Sequence, residues 1–233
     1  MLKRTAIPPS LAAWLPTSRT QLQQLVVGSS SPRRPFSTTR RSAQSARSYY
    51  YDVDIHGQLF LSEAKHRNVA TAYRDPRFLD TFFTRMRRND QDQHGAEARE
   101  ARERGYEFVS ECMGEVNFVR PEQEGTVLVF QALDGTDLRY AGSLSMPFDP
   151  ASLRVDPSTG YLFHPSPVTQ RTKRSHTSPY SLIRSSLVLE HLASSLELDS
   201  GSERGGGGTY EFAGKRFRIE PLQEGDVWRR RAG

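Results

Sequence analysis

The stretch YYYDVDIHGQLFLSE, residues 49–63, decides the fold class, because it reads as two short strands joined by a tight turn. Side chains two positions apart lie on the same face of a strand. The apolar residues that share a face in this way are Tyr49, Tyr51 and Val53 in the first half, and Leu59 and Leu61 opposite Phe60 in the second. His56-Gly57 supplies the turn between them, since glycine accepts a positive φ. The folded domain is therefore expected to begin with a β-hairpin.

The clearest helix of the sequence follows this hairpin. Asp75 can cap its N-terminus, and Pro76 suits its first position. Five apolar residues come next at a spacing that places them on one helical face: Phe78, Leu79, Phe82, Phe83 and Met86. Arginines complement the negative end of the helix dipole, at positions 85, 87 and 88. The pattern predicts a helix that packs an aromatic face into the core.

Further strands and a second helix are expected along the rest of the chain. The strands fall within residues 106–120, 126–133, 161–164 and 209–222, with turns at Gly114, Asp134-Gly135 and Ala213-Gly214. Leucines at helical spacing predict a helix over residues 180–197. The segments without a core pattern are 89–104, a solvated helical insertion or a disordered loop; 168–179, a basic loop; and 199–208, a Gly-rich flexible tract.

Eight to ten strands in hairpin-like succession, with two principal helices, indicate an α+β fold. We expect a mainly antiparallel sheet with both helices packed on one face. The domain is expected to span residues 49–222, and residues 223–233 are expected to form a frayed tail.

The N-terminal 51 residues carry eight Lys and Arg residues and no Asp or Glu. Subtracting these eight charges from the formal net charge of +5 leaves −3 for the remainder, which removes most of the support for general attraction to nucleic acid. Acid-free segments rich in arginine and serine are typical of mitochondrial transit peptides. Residues 1–48 are therefore predicted to be a transit peptide and disordered arm that directs the protein to the mitochondrial matrix. Its cleavage region is placed at Arg34, Phe36 and Ser37, while a basic arm without a targeting role and a plastid address are the alternatives.

Several classes of protein are disfavoured by motifs that the sequence lacks. It contains no run of about 18 apolar residues that would span a membrane. It also has no P-loop, no GxGxxG after a strand, and no HExxH or GxSxG motif. The single cysteine, Cys112, excludes an internal disulfide and a CxxC…CxxC zinc site. We therefore predict no metal and no cofactor.

One weaker constellation of polar residues lies in the hairpin of residues 106–120. A carboxylate, an amide and a guanidinium close together can bind an anion or support acid–base chemistry. The candidate anion- or substrate-binding residues are Glu111, Glu115, Asn117 and Arg120, together with His164 at a strand end and Arg184 on the polar side of the second helix. The alternative is an ordinary sheet face with a cross-strand ion pair. Likewise, Cys112 is either a nucleophile with His164 or His56 as its general base, or a small core residue.

A separate candidate surface is the basic loop of residues 168–179. Arg171, Lys173 and Arg174 form its partner-binding group, which could contact RNA or an acidic protein. The alternative is a solvated surface loop.

Four blocks of sequence resemble a known protein family. These are YYYDVDIHGQLFLSEAKHRNVATAYRDPRFLDTFFTRMRRN, YEFVSECMGEVNFVR, LSMPFDPASLRVDPSTGYLFHPSP and SLIRSSLVLEH. Together they are similar to an uncharacterised mitochondrial protein family whose human member is named for an open reading frame on chromosome eight. The resemblance covers roughly residues 49–222 and implies a mitochondrial location and one domain of unknown function. It supplies no catalytic residues.

The leading interpretation is a mitochondrial matrix protein without catalysis of its own, a binding or assembly module whose partner is another mitochondrial protein or complex. One alternative is a small matrix enzyme that acts on an anionic metabolite or nucleotide. This alternative requires the candidate polar residues to converge in one concave pocket. A further alternative is an RNA- or ribosome-associated protein, whose binding would be sensitive to salt.

Overall fold

The computed structural model describes residues 47–90, 94–123, 125–168, 177–199 and 206–228. These residues form two mixed β-sheets and three α-helices. The first sheet contains β1 (Ser48–Val53), β2 (Leu59–Leu61), β3 (Met86–Arg88), β4 (Phe108–Cys112) and β5 (Glu115–Pro121). Its strands lie in the order β2-β1-β5-β4-β3, with β1 parallel to β5 and the other neighbours antiparallel.

The second sheet has nine strands. They are β6 (Val129–Asp134), β7 (Asp137–Tyr140), β8 (Leu144–Pro147), β9 (Arg154–Val155), β10 (Leu162–Pro165), β11 (Tyr180–Ile183), β12 (Glu197–Leu198), β13 (Gly208–Phe212) and β14 (Lys215–Pro221). Their order is β12-β13-β14-β9-β10-β11-β6-β7-β8. The pairs β6–β11 and β9–β14 are parallel.

The helices are α1 (Pro76–Thr84), α2 (Gly95–Glu103) and α3 (Ser185–His191). The first begins as the sequence predicts, because the Asp75 carboxylate accepts a hydrogen bond of 2.7 Å from the Phe78 amide. It ends at Thr84, so Met86 enters the core from strand β3 and not from the helix. Phe82 is completely buried, and removing a side chain of this size from water contributes about 1.5–3 kcal/mol.

The first sheet carries helices on both of its faces. Phe82 of α1 packs in a cluster with Phe108 and Val119, whereas α2 packs Ala98 and Ala101 in a second cluster. That second cluster also contains Val109 and Phe118, the immediate neighbours of Phe108 and Val119 along strands β4 and β5. Because neighbouring strand residues point to opposite faces, α1 and α2 lie on opposite sides of this sheet.

The α+β class is confirmed, but the strands form two mixed sheets and not the one sheet that was expected. Of the strand pairs among the described residues, nine are antiparallel and three are parallel, and they are divided between two sheets. Packing of both predicted helices on one face is not confirmed, since Leu187 of α3 joins the core of the second sheet. The parallel pairs join strands that are distant in the sequence, so no turn sequence between the two strands predicts their pairing.

The prediction of a helix over residues 180–197 was wrong at its beginning. Residues 180–183 form β11, which pairs with β10 on one side and β6 on the other. Three consecutive residues, Ser181, Leu182 and Ile183, are buried, as expected for a central strand covered on both faces. Helix α3 starts only at Ser185 and is followed by a short 3-10 turn at Ala193–Ser195.

The segments expected to lack a core role are partly packed. Within residues 89–104, helix α2 buries Ala98 and Ala101 completely. Gly208, assigned to the flexible tract, is the first residue of β13. Within the expected frayed tail, Trp228 packs against Phe108, and the Asp226 carbonyl accepts a hydrogen bond from the Tyr180 amide.

No helix in the part of the chain that the structure describes is long and apolar enough to cross a membrane.

The two sheets meet where α1 approaches the β7–β8 turn. The Asp80 carboxylate of α1 accepts hydrogen bonds from the amides of Gly142 (3.1 Å) and Ser143 (2.8 Å) and from the Ser143 hydroxyl. Burial opposes ionisation of Asp80, but these hydrogen bonds outweigh it and lower the pKa of the carboxyl group. A Cβ atom at Gly142 would lie 2.5 Å from the Pro76 carbonyl oxygen, so this contact requires glycine.

We expect the substitution Gly142→Ala to lower the free energy of unfolding by about 1–3 kcal/mol, because the added methyl group forces the α1 backbone away from the turn. Urea denaturation measures this change. Gly125→Ala is the matched control, since its Cβ would meet its nearest neighbour at 3.6 Å. Equal stability of the two variants would contradict the close contact.

Candidate functional site

The β4–β5 hairpin brings two of the predicted site residues to one end of the first sheet. Cys112 pairs with Glu115 across its tight turn, which consists of Met113 and Gly114. Both turn residues have positive φ, 55° at Met113 and 78° at Gly114. Glycine adopts this conformation freely, whereas a methionine there is uncommon.

Beside this turn lies a cavity of about 380 Å³, which we call the edge cavity. Three parts of the chain supply its walls: the end of α1, the start of α2 and the hairpin. The lining residues are Arg85, His94, Glu111, Gly114, Glu115 and Val116. Arg85 directly follows α1, and His94 directly precedes α2, so both are positioned by helix ends.

The Glu111 carboxylate is held by two neighbours. Arg87 of the adjacent strand forms an ion pair with it, and His94 Nε2 lies 3.0 Å from the same oxygen. Because an ionised carboxylate only accepts hydrogen bonds, His94 Nε2 is the donor. The Arg87 hydrogen bond, supported by His94, holds the pKa of Glu111 below its ordinary value although partial burial opposes this. The Glu111 carboxyl group is therefore ionised, and its negative charge is already balanced by the Arg87 guanidinium.

Two other charged groups of the edge cavity are not matched in this way. Glu115 is half-buried, and its carboxylate forms no hydrogen bond or ion pair within the described residues. Arg85 is exposed, and its Nη1 donates a hydrogen bond of 3.1 Å to the backbone oxygen of Glu111. No ion pair joins Arg85 to a carboxylate in the part of the chain that the structure describes.

Asn117 lies in the interior and not in the cavity. Its Nδ2 donates to the Ser110 carbonyl oxygen at 2.9 Å and lies 3.4 Å from Cys112 Sγ. Ser110 in turn donates through its hydroxyl to the Phe82 carbonyl oxygen of α1 at 2.7 Å. This chain of contacts ties β5, β4 and α1 together, which is a structural role.

Cys112 is a buried residue of the α1-side cluster. Burial raises the pKa of its thiol, and no histidine is among its hydrogen-bond partners in the described residues. The arrangement favours the core interpretation of this residue over the nucleophile.

Arg120 is engaged by a buried carboxylate. It forms an ion pair with Asp52, which also pairs with Arg67 and is 3% exposed. The guanidinium carbon lies 4.5 Å from the ring centre of Tyr106. Although burial opposes its charge, the hydrogen bond to Asp52 raises the pKa of Arg120. Arg120 therefore neutralises Asp52 inside the fold and does not face the edge cavity.

His164 and Arg184 belong to the second sheet and its helix. His164 Nε2 accepts a hydrogen bond of 2.9 Å from the Asp149 amide, so its Nδ1 carries the proton and donates to the Pro165 oxygen at 3.0 Å. Burial lowers the pKa of His164 and keeps the ring neutral. Arg184 is the N-cap residue of α3, and its Nε is buried without a hydrogen-bond partner among the described residues.

The structure thus brings together only part of the predicted site. Glu111 and Glu115 line one cavity, while the other four candidates lie elsewhere in the fold. The sequence did not identify Arg85 and His94, which complete the cavity. In the sequence, Arg85 lies at a helix end and His94 lies within a polar insertion. No local signal identifies them, because α1 and α2 bring them together from opposite faces of the sheet.

The other predicted functional residues lie outside the described part of the chain. These are Arg171, Lys173 and Arg174 of the basic loop and Arg34, Phe36 and Ser37 of the cleavage region. Among the described residues, no group of three or more His, Cys, Asp or Glu side chains is placed to hold a metal ion.

The fold and the cavity define a small α+β protein with two mixed sheets and a charged recess at the end of the first. The chain belongs to the family described as a domain of unknown function, DUF4505, whose model matches residues 39–222. This match begins ten residues before the expected domain start at residue 49 and ends at the expected boundary. No solved structure matches the chain.

We expect Arg87→Gln to raise the pKa of Glu111 toward the ordinary value of 4.5, because it removes the cation that stabilises the carboxylate. Titration of the side-chain carboxyl carbon by NMR measures this pKa directly. In the unchanged protein, the pair stabilises the fold above the unfolded-state pKa, and this contribution is lost as the pH falls through the lower folded-state value.

Arg99→Gln provides the control for this titration, since Arg99 is an exposed residue of helix α2 outside the lining of the edge cavity. It should leave the pKa of Glu111 unchanged. A Glu111 pKa that is equally low in both variants would contradict the assigned role of Arg87.

Proposed function

We propose that the protein is a mitochondrial matrix protein that acts as a non-catalytic binding module. It contacts another mitochondrial protein through the tip of the β4–β5 hairpin, which we define as Met113 and Gly114. The support comes from the charge asymmetry of the sequence and from the geometry of this tip.

The observation that carries the proposal is the exposure of Met113. Its side chain is 69% exposed although it is large and apolar, and its backbone has a φ of 55°. A non-glycine residue held in the left-handed region costs free energy, and such residues concentrate at functional sites. Methionine is also enriched at protein interfaces, because its flexible thioether adapts to the partner surface.

The charged groups beside the tip fit the same function. Interfaces commonly surround an apolar anchor with polar groups that set orientation and specificity. The edge cavity provides such groups, since Arg85 and Glu115 line it together with Gly114 of the tip.

A small enzyme acting on an anionic metabolite is the second candidate, and one observation favours it. Glu111 holds the imidazole of His94 at the wall of a cavity that also contains Arg85. A carboxylate that orients a histidine is a common element of acid–base catalysis. The non-catalytic function is preferred, because Asn117, Arg120 and His164 already have structural contacts elsewhere in the fold.

The mitochondrial part of the proposal predicts that residues 1–48 are sufficient for import. A fusion of these residues to a reporter protein should enter isolated mitochondria in a membrane-potential-dependent way, because the potential draws positive charge inward. Replacing the seven Lys and Arg residues before Arg47 by Gln should abolish uptake. Import that persists after these replacements would contradict the transit-peptide function.

The binding part predicts that Met113→Ser weakens contact with the partner. We expect recovery of a cross-linked adduct of defined mass from intact mitochondria to fall about fivefold or more, because an apolar anchor is lost. Gel mobility and mass spectrometry of the tagged protein after cross-linking measure this recovery.

Leu189→Ser is the matched control, since Leu189 is a 73% exposed apolar residue on helix α3. This variant should retain the adduct. The proposal would be overturned if both variants gave the same adduct yield, or if the unchanged protein were recovered solely as a monomer.

A further inference from the structure

The edge cavity contains one negative and one positive group that the described part of the protein does not neutralise. Glu115 is half-buried, and its carboxylate forms no hydrogen bond or ion pair among the described residues. Arg85 uses one of its five N–H donors on a backbone oxygen. A carboxylate that is partly removed from water without a partner carries a desolvation cost, and a bound cation would relieve it.

The neighbouring charges restrict what else the cavity can hold. Glu111 is already matched by Arg87 and His94, so it does not require a second cation from a ligand. The two carboxylates of the lining disfavour an anion with several negative charges, while Arg85 disfavours a simple cation. The balanced arrangement favours a ligand that carries one charge of each sign.

The size and the lining of the cavity limit the ligand further. A volume of about 380 Å³ lies at the lower end of the range for small-molecule sites. Val116, which is 7% exposed, is the apolar residue of the lining, and a Cβ atom at Gly114 would meet no atom within 4 Å. The cavity can therefore accept a small apolar group.

We propose that the edge cavity binds a compact zwitterion of the α-amino-acid type. Glu115 accepts hydrogen bonds from the ligand ammonium group, and the Arg85 guanidinium donates to the ligand carboxylate. Both contacts are charge-assisted hydrogen bonds, which are stronger than neutral ones. Glu111 and His94, which contact each other, complete the lining. This inference goes beyond the proposed function, because it assigns a zwitterionic ligand to the edge cavity, whereas the proposed protein contact is anchored by Met113.

The same pair of charges could instead be presented by a folded or extended protein segment with a lysine next to an acidic residue. The chemistry recognised at Glu115 and Arg85 would be identical, so the probes must separate the two sources.

The experiment is an NMR titration of the full-length ¹⁵N-labelled protein with L-leucine, observed at the amides of Gly114, Glu115 and Val116. We expect saturable shifts with a Kd on the order of 1 mM or lower, as suits a ligand of this size. N-acetyl-leucine lacks the ammonium charge, and leucine methyl ester lacks the carboxylate. Each should bind about tenfold more weakly, because one charge-assisted hydrogen bond is lost.

Two variants connect each charge of the ligand to one side chain. Glu115→Gln should weaken L-leucine about tenfold but leave the affinity for N-acetyl-leucine unchanged, since that probe has no ammonium group to lose. Arg85→Gln should weaken L-leucine to a similar extent but leave leucine methyl ester unchanged. Glu63→Gln and Arg99→Gln alter exposed residues outside the cavity lining and should bind all three probes normally.

A blocked peptide, acetyl-Lys-Gly-Glu-amide, distinguishes the source of the zwitterion. Binding of this peptide with higher affinity than L-leucine, and with the same sensitivity to Glu115→Gln and Arg85→Gln, would support the recognised chemistry and assign it to a protein segment. Tighter binding of L-leucine would assign it to a free amino acid.

Three results would overturn the inference. These are the absence of saturable shifts with both L-leucine and the blocked peptide, equal binding of acetate and L-leucine, and binding that both cavity variants leave intact. The spectra of the variants also report whether they fold. The cross-linking yield of Met113→Ser is independent of this titration, so failure of the zwitterion inference leaves the test of the binding module unaffected.

Discussion

The first sheet depends on the parallel pairing of β1 with β5, which joins residues 48–53 to residues 116–121. Asp52 and Arg120 are direct partners in this register, and their side chains form an ion pair in which the carboxylate is 3% exposed. A shift of one residue would turn Asp52 to the other face and leave a buried charge without its partner. Because an unpaired buried charge is strongly destabilising, this ion pair fixes the register.

That register determines where the edge cavity lies. Between β1 and β5, which are adjacent in the sheet, the chain forms three strands and two helices. The helices then cover opposite faces of the sheet, and the end of α1 and the start of α2 both approach the β4–β5 turn. Arg85 and His94 arrive at this place through the topology, although neither belongs to the hairpin that carries Glu111 and Glu115.

Most polar groups that could have formed a site are used to hold the fold together. Asn117 connects two strands with a helix, Arg120 neutralises Asp52, and His164 as a neutral ring joins β10 to the segment that follows β8. Each of these groups is partly or fully buried, and a buried polar group needs a partner. The edge cavity differs, because Arg85 and Glu115 remain available to a ligand. Function in this protein is therefore expected where the charges are not satisfied internally.

The sequence by itself determined the features that depend on neighbouring residues. The Asp75-Pro76 start of α1 and the turns at His56-Gly57, Met113-Gly114 and Ala213-Gly214 follow from cap and turn chemistry. The α+β class follows from the hairpin-like succession of strands, and the separation of a basic N-terminus from the remainder follows from counting charges. Glu111 and Glu115 could be chosen because they flank one such turn.

Only the tertiary structure decided the pairings between distant segments. The leucine spacing near residue 182 fits a helix, yet β6 and β10 together make this segment a central strand, since two lines of backbone hydrogen bonds outweigh a local periodicity. In the sequence, the alanines of α2 resemble solvent-exposed helix positions. Only the tertiary structure shows that one face of the first sheet buries them. The position of Arg85 and His94 at a common cavity likewise has no local signature, because the approach of residues from opposite sides of a sheet is set by topology and not by spacing along the chain.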